Sequence, residues 1–86
     1  MATPRAAQVT IYTTSWCGYC RRLKDGLDQA GIAFAEVDIE RDERAARRVM
    51  QLNGGDQTVP TVEFGDGSAL TNPSATEVRQ RLAAIA

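Results

Sequence analysis

Between Val9 and Tyr12 the chain is β-branched and aromatic with polar residues on either side, a pattern that predicts a short first strand. From Cys20 onward the apolar positions fall 3, 4 and 3 apart, through Leu23, Leu27 and Ala30, which is the stripe of a helix. Arg21, Arg22, Lys24, Asp25 and Asp28 lie largely off that stripe, and Gly31 ends it in the position where glycine is favoured. The run IAFAEVDI predicts a second strand over Ala33–Asp38. ERDERAARRVMQLNGG predicts a second helix starting at Glu40, with Ala45, Val49 and Leu52 inward and Asn53-Gly54-Gly55 as its stop. Its charges pair at i,i+4 in the favoured order, Glu40 with Arg44 and Glu43 with Arg47, and read as a solvated face.

TVEF-GDG-SAL predicts a hairpin turning at Asp66-Gly67 in a type I′ connection. The ending TNPSATEVRQRLAAIA predicts a last helix, opened by the capping box Ser74-x-x-Glu77 and buried along Val78, Leu82 and Ile85. The order is βαβαββα. A right-handed first βαβ unit makes two parallel strands, and the hairpin adds two more. The fold class expected is α/β, a four-stranded mixed sheet flanked by three helices, which is the minimal thioredoxin fold. Residues 1–8 read as a short loose lead-in and 9–86 as a single domain.

Composition narrows the chemistry by exclusion. At 86 residues the chain holds one modest core, and its 43% hydrophobic and 24% charged residues are those of an ordinary globular domain. Net charge is −1 with the two signs mixed, which gives no electrostatic footprint for nucleic acid. No apolar run approaches the ~20 residues of a membrane span. MATPRAAQ lacks the apolar core of an export signal, so the expected location is cytoplasmic and the expected state a monomer. There is no histidine, so neither a Cys-His nucleophile nor a Ser-His-Asp triad can be built. GDGSAL lacks the third glycine of a dinucleotide loop, with Leu70 in its place, and no Walker A motif is present.

The only two cysteines, Cys17 and Cys20, stand two residues apart in TSWCGYCRRLK. A zinc site needs four ligands, so no metal is expected within one chain. A bridge across so short a loop would add only ~2 kcal/mol by chain entropy, which makes a structural staple weak. A redox pair is the leading reading. The pair sits at a strand-to-helix junction, where unpaired backbone N–H groups and the helix dipole favour an anion on the first thiol. Cys20 continues the buried line of Leu23 and Leu27 while Cys17, three residues earlier, is expected at the exposed tip. Cys17 is thus the expected nucleophile and Cys20 the resolving or auxiliary thiol. Arg21 or Arg22 is a candidate to lean toward the sulfur or an anionic substrate, though both also read as solvated cations. Tyr19 is expected to wall a substrate groove, and Trp16 is open between groove and core. Thr58-Val59-Pro60 precedes the third strand, where a proline is tolerated in any fold, but paired with an upstream CxxC it marks a second element of the site.

Over residues 9–86 the sequence resembles the glutaredoxin family in IYTTSWCGYC, VDIE, TVPTV and the hairpin-to-helix ending. Within the family it is similar to the mycoredoxins, in TIYTTSWCGYC, NGGDQTVPTV and DGSALTNPSA. The resemblance implies a cis bond before Pro60, leaving the Val59 backbone free to pair with an extended thiol substrate. It implies thiol–disulfide exchange on mixed disulfides of proteins with mycothiol. Mycothiol is then the reducing co-substrate, mycothiolated proteins are the substrates, and an NADPH-dependent mycothione reductase stands behind them, with no bound cofactor. Glutaredoxins usually carry a lysine three residues before the first cysteine and a Gly-Gly with following acids ahead of the last helix, both contacting glutathione. Here those positions hold Thr14 and TNPSA, and Pro73 has no N–H to donate. Hydroxyls and amides on Thr14, Thr71, Asn72 and Ser74 are the expected sugar contacts. Two alternatives stay open: a dithiol donor re-reduced by thioredoxin reductase, as in redoxins serving ribonucleotide reductase, and a shared [2Fe–2S] cluster.

Overall fold

The computed structural model describes residues 9–85, so the lead-in expected over 1–8 lies outside the described residues. In chain order the elements are β1 (Val9–Thr13), α1 (Gly18–Gln29), β2 (Ala35–Asp38), α2 (Glu43–Leu52), β3 (Thr61–Phe64), β4 (Ala69–Thr71) and α3 (Ala75–Ile85). The strands form one sheet in the order β2-β1-β3-β4. β1 runs parallel to β2 and antiparallel to β3, and β4 is antiparallel to β3. This is the mixed four-stranded sheet with three helices that the sequence pattern predicts.

Alternation along β1 divides the core between the two faces of the sheet. Val9 and Ile11 pack with Val62 and Phe64 of β3, Leu23 and Leu27 of α1 and Val78 of α3. Tyr12 points the other way, into a second cluster with Ile39, Ala45 and Val49. One face therefore carries α1 and α3, the other α2. Gly26 of α1 sets how closely the first pair packs, because a Cβ there would lie 2.8 Å from that of Ala75.

Local chemistry explains the boundaries, including those that differ from expectation. α1 ends in a Schellman motif, with Ile32 N–H on the Leu27 carbonyl, Gly31 N–H on that of Asp28, and Gly31 at φ +73. Its last stripe residue, Ala30, is exposed, as is Ile85 in α3, so both helices bury less than their patterns predict. β2 starts two residues later than expected. α2 starts at Glu43 because Asp42 caps it, its carboxylate accepting from the N–H groups of Arg44 and Ala45. Glu40 therefore precedes the helix and forms no i,i+4 pair with Arg44. The hairpin turn is not type I′. Gly67 N–H bonds to the Phe64 carbonyl, Asp66 has negative φ, and Gly67 takes φ +91, giving a three-residue loop with the glycine at its left-handed position. The α3 capping box forms in both directions, Ser74 N–H to Glu77 Oε1 at 2.8 Å and Glu77 N–H to Ser74 Oγ at 3.1 Å.

A charged network couples α2 to the sheet. Arg48 grips the Glu63 carboxylate through Nε and Nη2, and Tyr12 Oη donates to the same carboxylate at 2.8 Å. Arg48, then the Tyr12 hydrogen bond, holds the Glu63 carboxyl below its ordinary range against the effect of burial, while burial and Glu63 push Tyr12 up to about 12. Because the folded carboxylate binds its proton less readily than the unfolded one, this stabilisation is complete above the unfolded value, about pH 4.3, and is lost as pH falls through the folded value. Glu63→Gln is expected to lower Tm by roughly 2–5 °C at pH 7, with the gap to the parent narrowing as pH falls. Thermal melts across that range check it.

Candidate active site

The β1–α1 junction places the first cysteine at the end of a helix with its backbone still extended. Cys17 is the N-cap of α1, at φ −86 and ψ 111, and its Sγ accepts the Cys20 N–H at 3.1 Å. No acidic residue occupies the first turn of α1 to offset the positive end of the dipole. Cys17 keeps 9% of its surface exposed and Cys20 only 1%, and both are free thiols. Burial, the first cause, and the neighbouring Cys17 push the Cys20 thiol up to about 12, against smaller opposing effects of the Thr14 backbone and Lys24.

The Val59–Pro60 bond is cis, as the family resemblance implies. It brings the Val59 carbonyl 3.9 Å from Cys17 Sγ. The Val59 N–H has no hydrogen-bond partner among the described residues. Pro60 is buried, its carbonyl accepting the Asn72 N–H at 2.7 Å, and the Thr58 carbonyl accepts the Thr61 hydroxyl at 2.7 Å. The segment before β3 is thus fastened at both ends while Val59 faces the sulfur.

Beside the first turn of α1 lies an open groove of about 450 Å³ whose lining includes Tyr19, Arg22, Asn72, Pro73, Ser74 and Glu77. Three expected binding residues, Tyr19, Asn72 and Ser74, meet there. Tyr19 is 62% exposed, with the Arg22 guanidinium 5.8 Å from its ring centre. Trp16, open between core and groove by sequence, is in neither place. It is 72% exposed and its Nε1–H donates to Glu40 Oε2 at 2.9 Å. Arg21 is exposed and makes no ion pair with any described residue, so nothing directs it to the sulfur.

Two of the expected sugar contacts are placed otherwise. The Thr14 hydroxyl is buried with no hydrogen-bond partner among the described residues, and Thr14 is not among the residues lining the groove. The Thr71 hydroxyl donates to Asn53 Oδ1, whose amide also donates to Thr61 Oγ1 at 2.9 Å. Asn53 was legible only as a helix stop, yet it ties the end of α2 to β3 and β4 behind Pro60. The orphaned Thr14 hydroxyl carries a prediction. Thr14→Val is expected to stabilise the fold by about 1 kcal/mol, raising Tm by roughly 4–8 °C in a calorimetric scan.

Among the described residues no cluster of three or more His, Cys, Asp or Glu side chains could hold a metal ion, and no helix is long and apolar enough to cross a membrane. The chemistry the arrangement offers is that of two thiols, one at the helix N-terminus with a narrow opening to solvent and one sealed beneath it. A family model for glutaredoxin matches residues 9–68. A glutaredoxin-like protein of Mycobacterium tuberculosis is 61% identical over 80 residues, covering 93% of this chain and 95% of that one. Mycoredoxin 1 of Corynebacterium glutamicum is 45% identical over 80 residues, covering 93% and 99%. The crystal structure of a glutaredoxin from Methanosarcina mazei superposes with a TM-score of 0.76 at 26% identity, over 90% of this chain and 79% of that one.

Proposed function

This chain belongs to the glutaredoxin family of thiol–disulfide oxidoreductases, and we propose that it reduces mixed disulfides between proteins and mycothiol by a monothiol route. The observation that carries the reading is the division of labour between the thiols. Cys17 Sγ sits at the positive end of α1 on a backbone N–H, and Cys20 is sealed beneath it with its proton held tightly. The Cys17 thiolate attacks the mycothiol sulfur, forming Cys17–S–S–mycothiol, and the protein leaves as a thiolate that takes a proton from solvent. A second mycothiol thiolate attacks the mycothiol sulfur of that adduct, releasing mycothiol disulfide and the Cys17 thiolate. Each step exchanges one S–S bond for another, so the only reductant consumed is the incoming mycothiol thiol, which ends in the released mycothiol disulfide, while the capping mycothiol stays at the disulfide level throughout. The Cys20 N–H lies where charge appears on Cys17 in both steps.

The Val59 backbone, unpaired on its N–H, would take the cysteinyl part of mycothiol as an added strand. Tyr19, Asn72 and Ser74 would take its sugars in the groove. Mycothiol is favoured by the 45% identity to a protein named mycoredoxin and by the loss of two glutathione contacts at Thr14 and Pro73. On this reading the protein works in the cytoplasm, where NADPH-dependent mycothione reductase regenerates mycothiol. The direct test is NADPH consumption with mycothiol, mycothione reductase and one mycothiol-capped protein. Steady turnover is expected, and its absence would overturn the reading.

A further inference from the structure

Trp16 is the most exposed large apolar side chain among the described residues, although it precedes the nucleophile directly. An indole left in water forgoes burial of about 150–250 Å², so a ring held open at that place calls for a reason. The structure holds it rather than merely leaving it loose, through the 2.9 Å hydrogen bond from Nε1 to Glu40. Glu40 stands on a fixed turn. Ile39 N–H bonds to the Thr13 carbonyl beyond the end of the β1–β2 ladder, Asp38 Oδ1 accepts the Glu40 N–H at 2.9 Å, and the Asp38 carbonyl accepts the Arg41 N–H.

Topology then gives the two aromatic residues different duties. Tyr19 lines the groove closed by Asn72–Ala75, which follow β4 at one edge of the sheet. Trp16 is bound to Glu40, which follows β2 at the opposite edge. The groove's volume of about 450 Å³ suits a small thiol. With the small thiol in that groove, the polypeptide half of a mixed disulfide is left the flank of Cys17 toward the other sheet edge, where Glu40 holds the indole.

We infer that Trp16 is the platform for the polypeptide segment flanking the target cysteine, and that Glu40 is the positioning residue that holds the indole in place. This rests on the mixed-disulfide reading above. Two substrates with the same mycothiol cap separate the roles: a capped cysteine peptide, and the small adduct of mycothiol with 2-mercaptoethanol. In Glu40→Ala the ratio of kcat/KM for peptide over small adduct is expected to fall about fivefold, through KM. Glu40→Gln keeps an acceptor for the indole N–H and restores the ratio, while Trp16→Ala lowers it about tenfold. Trp16 is the only tryptophan, so fluorescence anisotropy reads the ring directly: it drops in Glu40→Ala and holds in Glu40→Gln. An unchanged ratio in both Ala variants, an equal fall on both substrates, or no rescue by Gln would overturn the inference. Failure of the parent protein to turn over either adduct would instead overturn the mixed-disulfide reading, and the inference with it.

Discussion

Replacing Cys17 with serine is expected to abolish reduction of a mycothiol-capped protein, by at least about 10³-fold, while Cys20→Ser keeps turnover within about threefold of the parent. The contrast follows from which atoms of each residue take part. Cys17 contributes its sulfur, which forms and breaks every bond in the exchange, and a serine hydroxyl at that N-cap cannot form a disulfide. Cys20 contributes a backbone N–H to Cys17 Sγ, and that donor survives a change of side chain. The cost of Cys20→Ser falls on stability, because the new hydroxyl enters a site only 1% exposed and needs a partner there.

Once Cys17 carries mycothiol, Cys20 could close a Cys17–Cys20 disulfide only as a thiolate. Part of the upward push on Cys20 comes from Cys17 and relaxes when Cys17 is capped, but burial, its largest cause, stays. On the monothiol reading, intramolecular closure is therefore expected to be slow at neutral pH and to quicken as pH rises. Mass spectrometry of Cys20→Ser mixed with a limiting mycothiol donor should show a Cys17–mycothiol adduct that free mycothiol then discharges. If Cys20→Ser proved as inert as Cys17→Ser, both thiols would be obligatory and a dithiol donor served by thioredoxin reductase would take the place of the monothiol route.

Most of this frame was legible because it rests on short-range rules. The stripe through Cys20, Leu23 and Leu27 placed Cys20 inward and left Cys17 at an exposed helix tip; the structure has Cys20 buried and Cys17 at the helix N-cap, but with only 9% of Cys17 exposed. Gly31 and the Ser74–Glu77 box act within one turn of their own helices and were readable for the same reason. Less legible were features decided by a distant partner. Glu40 has the charge spacing of a helix residue, but the Asp42 cap starts α2 beyond it and the Trp16 indole claims it instead. Asp42 itself was the missed signal, a short acid directly before a helical run. Thr14 and Thr71 looked like surface hydroxyls, yet the end of β1 buries one and Asn53 engages the other. Arg48 was assigned to a solvated face, and only the stacking of α2 over β3 gives it Glu63.

In the Cys20→Ser background, a mycothiol-capped substrate is expected to outpace its glutathione-capped counterpart by about tenfold or more in kcat/KM, each with its own thiol and reductase. The reason lies at the start of α3, where an anion would otherwise be welcome. Of the residues leading into it, Asn72 N–H is committed to Pro60, Ser74 N–H to Glu77, and Pro73 has none. The carboxylate of Glu77 occupies the helix end itself and lines the groove. A glutathione carboxylate arriving there would displace that cap or sit against a like charge. Arg22, across the groove, offers some compensation, but an exposed cation over the Tyr19 ring is worth at most about 1 kcal/mol to it. Mycothiol, a cysteinyl amino sugar linked to inositol, brings hydroxyls rather than that pair of carboxylates and meets no such conflict. Glu77→Gln should therefore narrow the preference by raising the glutathione rate more than the mycothiol rate. Equal rates for the two thiols in the Cys20→Ser protein would defeat the specificity argument from Thr14, Pro73 and Glu77 together, leaving a glutaredoxin indifferent to its cap.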